Sequence, residues 1–194
     1  MTDATVSTKP MTLDEFIRIY ETEGPFEIIG GERIAMSPTV TGHNRIVMRL
    51  VVPMQTLAQQ NQLGEVMFES PFVLHYDSNW VKGSRVPDIM FVAANRFDPY
   101  CENDPEWRNK PLVLVPDLAA EVISMNDNYL DVDRKVRTYL DDGVKIIWVI
   151  NPRAQTVVVY EYGSNQHTTL NRDDALTAEA VIPGFEIKVG AIFS

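Results

Sequence analysis

The chain has 194 residues, enough for one domain with its own core, and its 45% hydrophobic and 23% charged residues exclude a disordered or fibrous protein. A single cysteine, Cys101, excludes an internal disulfide framework and a cysteine-built zinc site. The formal charge of −10 weighs against a surface that attracts phosphate broadly, although carboxylates that hold a metal are themselves acidic.

Residues 1–10 read as a disordered tail, followed by a single domain over residues 11–194. The tail, MTDATVSTKP, has no apolar stretch of the signal-peptide kind, and the strongest apolar run, Ile146 to Ile150, is far too short to span a bilayer. A cytoplasmic protein with no membrane association is therefore expected. Thr12 with Glu15 three residues on predicts a capping box, Leu13, Phe16, Ile17 and Tyr20 supply the apolar face of the helix behind it, and Gly24-Pro25 ends it. Residues 26–29 and 32–36 alternate around Gly30-Gly31 and predict a hairpin. A longer helix is expected from Val40 to Gln62, kinked or split at Pro53. Strands are expected at Glu65–Phe68, Phe72–His75 and Val86–Val92, and a long loop from Ala94 to Lys110. A buried strand over Asp117–Ile123 leads to a helix over Asn128–Asp142, closed by Gly143. Lys145–Ile150 is a strand that turns at Asn151-Pro152-Arg153 into another over Thr156–Tyr162, and short strands are expected at His167–Leu170 and Glu186–Val189. The order is that of an α/β (α+β) protein with a central mixed sheet flanked by helices.

Two acidic residues stand out because their neighbours are apolar: Asp88 in Val86-Pro87-Asp88-Ile89-Met90, and Glu121 in Ala119-Ala120-Glu121-Val122-Ile123. A buried carboxylate is costly unless it is paired, hydrogen-bonded or bound to a metal. Two of them on neighbouring strands suit a hard divalent cation such as Mg²⁺, and should converge on one coordination sphere. Lys135, on the helix that folds back over the Glu121 strand, can orient a water or offset charge on a phosphate. Each residue also has a bland reading. Asp88 can simply start a strand after a proline, and Lys135 can be a solvated lysine paired to Asp131. His75 and His167 show no ligand spacing, and Gly30-Gly31 is turn chemistry rather than a phosphate loop.

From Met11 to Tyr160 the chain resembles the Uma-two family, restriction-endonuclease-like proteins of the PD-(D/E)XK nuclease superfamily. Met11 to Phe16 looks like the family's start. Phe26-Glu27-Ile28-Ile29-Gly30-Gly31-Glu32 is similar to its YELIDGE element, and Met36-Ser37-Pro38 with His43 and Ile46 to its MSP…H…I stretch. Val86-Pro87-Asp88-Ile89 is similar to its PD motif, and Pro116 to Ser124 to PDLVVEVLS. Asp133 to Tyr139, Gly143-Val144 and Trp148 to Pro152 resemble its D…K…Y…GV…W.VDP sequence. The superfamily lysine should fall at position 123, which is Ile123 here; the resemblance implies a lysine migrated to the next helix, at Lys135. It further implies a restriction-endonuclease-like core and Mg²⁺- or Mn²⁺-dependent cleavage of nucleic acid, with DNA the expected substrate. Asp88, Glu121 and the backbone carbonyl of Val122 would hold the metal. His43 and Glu27 would be neighbours of the site.

Competing readings are an interaction module that keeps the fold without catalysis, which the net charge of −10 favours, and a small-molecule hydrolase built on the same metal pair. A homodimer is also expected, from the strand edges at 26–36 and 156–162 and from family analogy.

Overall fold

A computed structural model describes residues 6–7, 11–77, 80–124 and 129–194. The capping box at Thr12 forms: its hydroxyl accepts from the Glu15 N–H, and the Glu15 carboxylate accepts from the Thr12 N–H. It starts helix α1 (Leu13–Glu23), whose Phe16 packs edge-on against Phe26. The strands β2 (Phe26–Ile29) and β3 (Glu32–Ala35) follow, joined by Gly30 and Gly31 at φ 60° and 82°, the positive values that a tight hairpin turn requires. Of the tail expected at residues 1–10, Val6–Ser7 form β1, antiparallel to β3, and the rest lies outside the described residues.

Helix α2 (Thr41–Asn61) runs through Pro53 without a break, which corrects the expected split. Ile46, Leu50, Met54 and Ala58 are buried on one stripe against the main sheet, and this packing outweighs the hydrogen bond that proline removes. Strands β4 (Gly64–Phe68), β5 (Phe72–Asp77), β6 (Trp80–Arg85) and β7 (Ile89–Ala93) come next. The expected strand at Val86–Val92 is therefore corrected: β7 begins at Ile89, and Val86-Pro87-Asp88 form the connection from β6. The stretch expected as a loop at Ala94–Lys110 instead contains helix α3 (Ala94–Asn103) and a short 3₁₀ turn at Trp107–Asn109. Phe97, Tyr100 and Trp107 cluster there, so aromatic packing holds a segment that its prolines and polar residues disguise.

Strand β8 (Leu118–Val122) is followed by helix α4 (Tyr129–Asp142), closed by Gly143 at φ 98°, and by β9 (Ile146–Asn151). Strands β10 (Thr156–Glu161), β11 (His167–Leu170), β12 (Ala175–Thr177) and β13 (Glu186–Lys188) and helix α5 (Val189–Ile192) complete the described fold.

The central sheet has the order β11-β10-β9-β8-β7-β4; β8 and β9 are parallel and its other pairs antiparallel. A second sheet, β1-β3-β2-β6-β5, carries α1. Side-chain alternation gives the central sheet two faces. Ile89, Phe91, Leu118, Ala120, Val122, Trp148 and Ile150 pack with α2 and the C-terminal segment. Met90, Val92, Ala119, Ile147 and Val149 pack with Val136 and Tyr139 of α4. The expected mixed sheet flanked by helices is the observed architecture. Among the described residues no helix is long and apolar enough to cross a membrane.

Candidate active site

The antiparallel register of β7 and β8 pairs Phe91 with Leu118, Met90 with Ala119 and Ile89 with Ala120, and stops one residue short of Asp88 and Glu121. Directly opposed residues share a face, so the register sets Asp88 across from Glu121 where the ladder ends. Asp88 turns its Oδ2 over the end of β8 to accept the Val122 N–H at 2.6 Å. The N–H and C=O of one strand residue point the same way, so the Val122 carbonyl also leaves β8 on the Asp88 side. Two further bonds hold the turn that carries Asp88. The Asp88 carbonyl accepts from the Glu69 N–H at 3.2 Å, and the buried Glu27 takes the Val86 N–H at 3.0 Å.

Glu121 has the parity of Ala119 and so faces α4. Lys135 and Tyr139, one turn apart on that helix, reach it together. The Lys135 Nζ lies 2.8 Å from Glu121 Oε2, and the Tyr139 hydroxyl donates to Oε1 at 2.5 Å. Lys135 thus pairs with Glu121, while Asp131 pairs with Arg134. Burial pushes the Glu121 carboxyl up to about 7; the Lys135 ammonium works against that rise, and the charges of Asp88 and Glu27 add to it. Burial alone would lower Lys135, but Glu121, Glu27 and Asp88 more than offset it and hold the ammonium above its ordinary range. Lys135 therefore stays charged beside Glu121. Tyr139 is held well above its ordinary value by burial and then by the charge of Glu121, so it remains a donor.

His43, in the first turn of α2, approaches Asp88 from the opposite face of the sheet, with Nε2 3.2 Å from Oδ1. Its contact with Asp88 raises the imidazole pKa, burial works against the rise, and the charges of Asp88, Glu69 and Glu121 support it. Beside Glu121 a cleft of about 130 Å³ opens between the β2–β3 hairpin and α4, lined by Glu27, Ile29, Ile34, Glu121, Val132 and Lys135 among others. Asp88 and His43 lie outside that lining. Two contact groups result, Asp88 with the Val122 N–H and His43, and Glu121 with Lys135 and Tyr139, joined where Glu121 and Val122 follow one another in β8. Glu27 sits on the cleft wall and accepts the Val86 N–H in the turn that carries Asp88.

Residues 13–190 match the family described as "Uma2: Putative restriction endonuclease". The chain belongs to the Uma2 family. A solved structure described as "a putative nuclease belonging to DUF820" from Anabaena variabilis ATCC 29413 shares its fold. That structure is 22% identical, with a TM-score of 0.75, over 95% of this chain and 98% of the other. Among curated proteins none matches this chain.

Whether this Uma2 chain can hold a divalent metal is a question about donors. Among the described residues no group of three or more His, Cys, Asp or Glu is placed to hold one. Two carboxylates and the Val122 carbonyl are hard oxygen donors, however, and Mg²⁺ commonly takes only one or two protein carboxylates. Burial raises the Glu121 carboxyl first and the charges of Asp88 and Glu27 add to it, so a cation beside it would be favoured over a bare carboxylate. The donor set fits. Sequence reasoning missed Tyr139 as a site residue, although it lies four positions after Lys135 on the same helix face. It also missed Glu69, whose φ of 47° is a left-handed conformation that non-glycine residues rarely adopt, beside the Asp88 carbonyl.

Proposed function

We propose that this chain is a Mg²⁺- or Mn²⁺-dependent nuclease that hydrolyses phosphodiester bonds, with DNA as its substrate. The observation that supports the reading is the Lys135–Glu121 pair, with Asp88 bonded to the N–H of the residue that follows Glu121, at the shared end of β7 and β8. Asp88, Glu121 and the Val122 carbonyl would hold the ion. A bound divalent ion supplies Lewis-acid polarisation of the phosphate and a more acidic water.

The chain's own groups do the rest. Lys135, with its side chain 33% exposed and its stem against the cleft, orients an attacking water or offsets charge on the phosphate. Tyr139 fixes the orientation of Glu121. The Val122 N–H fixes Asp88, and His43 lies at the other Asp88 oxygen, where it can hold a proton. Glu27 fixes the turn that presents Asp88. The test is cleavage of plasmid and oligonucleotide DNA, with and without Mg²⁺ or Mn²⁺, by wild type and by Asp88→Ala. Metal-dependent cleavage lost in the variant supports the reading; equal cleavage by both sinks it.

A second reading, an interaction module without catalysis, is favoured by the net charge of −10 and by the internal partners that occupy both oxygens of Asp88 and of Glu121. A homodimer stays a proposal. The edges first expected to support it are covered within the chain, β3 by β1 and β10 by β11, so an interface would use other surfaces. Sedimentation distinguishes a 22.0 kDa species from a dimer.

A further inference from the structure

Each of the two carboxylates has one oxygen held by a group that cannot leave and one held by a group that can. Asp88 Oδ2 accepts the Val122 backbone N–H at 2.6 Å, a donor locked into the central strand. Glu121 Oε1 accepts the Tyr139 phenol, whose side chain is 1% exposed and packs with Phe72 at a ring separation of 6.4 Å. Neither donor can withdraw without opening the core. The remaining two oxygens face ionisable side chains: Asp88 Oδ1 lies 3.2 Å from His43 Nε2, and Glu121 Oε2 lies 2.8 Å from Lys135 Nζ. Lys135 borders the cleft and carries its charge on a flexible stem, so it can swing away while its helix stays in place.

We propose that Lys135 is a stand-in cation at Glu121 Oε2, and that Tyr139 is a positioning residue that pins Glu121 Oε1 and leaves Oε2 as the oxygen a divalent ion would share. The inference rests on the nuclease reading above, because it concerns the same carboxylates. A buried acid without a counter-charge is costly, and the Lys135 ammonium offsets that cost until a metal arrives. Entry of the ion then releases the Lys135 ammonium from Glu121 into the cleft. Loading the metal and freeing the lysine for substrate become one event. A lysine that served only the chemical step would have no reason to compete with the metal.

The test needs no nucleic acid. Mn²⁺ binding to the full chain is measured by the electron paramagnetic resonance of free Mn²⁺, for wild type, Lys135→Ala, Tyr139→Phe and Arg137→Ala. Arg137 lies on the same helix, is 74% exposed and pairs with Asp133, so its variant controls for loss of one positive charge. Lys135→Ala should bind Mn²⁺ about fivefold more tightly, the weight of a competing ion pair of this exposure. Arg137→Ala should match wild type. Tyr139→Phe should bind about tenfold more weakly, as loss of a group that orients a ligand typically does. Lys135→Ala that binds no more tightly than Arg137→Ala overturns the stand-in role, and unchanged binding by Tyr139→Phe overturns the pinning. If Tyr139→Phe does not fold, the comparison of Lys135→Ala with Arg137→Ala still decides. Wild type that binds no Mn²⁺ at millimolar concentration removes the nuclease reading itself, whereas wild-type binding with no gain in Lys135→Ala removes this inference alone.

Discussion

The chain carries the dipeptide Pro-Asp in two buried places, at Pro87-Asp88 and at Pro116-Asp117, and the two do different work. Both aspartates precede a strand of the central sheet, Asp88 before β7 and Asp117 before β8. Because those strands are antiparallel, the two lie at opposite ends of the pair. Asp117 is fully buried and saturated: Oδ2 accepts the Ala93 N–H at 2.9 Å, and Oδ1 meets Arg96 at 2.9 Å and Lys145 at 2.8 Å. Asp88 has one fixed donor, one histidine, and a second acid across the ladder. A carboxylate surrounded by two cations is a structural rivet. One that shares its surroundings with another acid is a place for a cation. The dipeptide alone does not separate the two; the end of the strand and the charge of the neighbours do.

The comparison is broken most directly by removing each acid in turn. Asp88→Ala or Glu121→Ala should reduce metal-dependent cleavage to background while the protein remains folded, as judged by circular dichroism. Lys135→Ala comes next, with cleavage lowered on the order of 10²–10³-fold and urea-unfolding stability lowered as well, because buried Glu121 loses its counter-charge. Retained cleavage in that variant would return Lys135 to the role of a surface lysine. Asp117→Ala should show the inverse pattern. It strands the Ala93 N–H and two cations, and because Arg96 and Lys145 are partly in water the expected loss is about 2–3 kcal/mol in urea unfolding. Its cleavage per folded molecule should be unchanged.

The smallest effect is in pH. Burial would raise the Asp117 carboxyl, but the Ala93 N–H, Lys145 and Arg96 reverse that and hold it below the usual carboxylate range. The unfolded chain therefore takes up a proton at this position before the folded one does. The stability that Asp117 contributes is complete above the ordinary carboxylate value of about 4 and is lost as pH falls below it. Urea midpoints between pH 6 and pH 3 should fall less steeply in Asp117→Ala than in wild type. Parallel slopes would remove the rivet assignment.

Much of this division was legible in the sequence, for local reasons. The capping box at Thr12, the Gly30-Gly31 turn and the acids in apolar runs are signals carried by a few adjacent residues. β6 was hidden because Trp80-Val81-Lys82-Gly83-Ser84-Arg85 lacks the alternation of a half-buried strand. Its buried Ser84 and Arg85 find partners in Ile28 and Asp142, residues far away in sequence. α3 was hidden by Pro99 and by having no buried residue. The C-terminal β12 and α5 are too short to show periodicity, and Leu176 and Ile192 become core residues only on meeting the α2 face. Tyr139 gives no local signal, because its hydroxyl meets the Glu121 carboxylate only once α4 is seated on the sheet.

Ile123, two residues after Glu121, sits just past β8, while the ammonium that meets Glu121 comes from α4. β8 is bonded to a strand on each side, so the positions of its residues are set by backbone ladders that side-chain changes leave alone. α4 is seated on the sheet by side chains such as Val136 and Tyr139. Acid and ammonium are thus mounted on parts with different mechanical stiffness. Substitutions under the helix can retune where the charge sits by fractions of an ångström without disturbing the acids, a freedom that a lysine on the strand itself would not have.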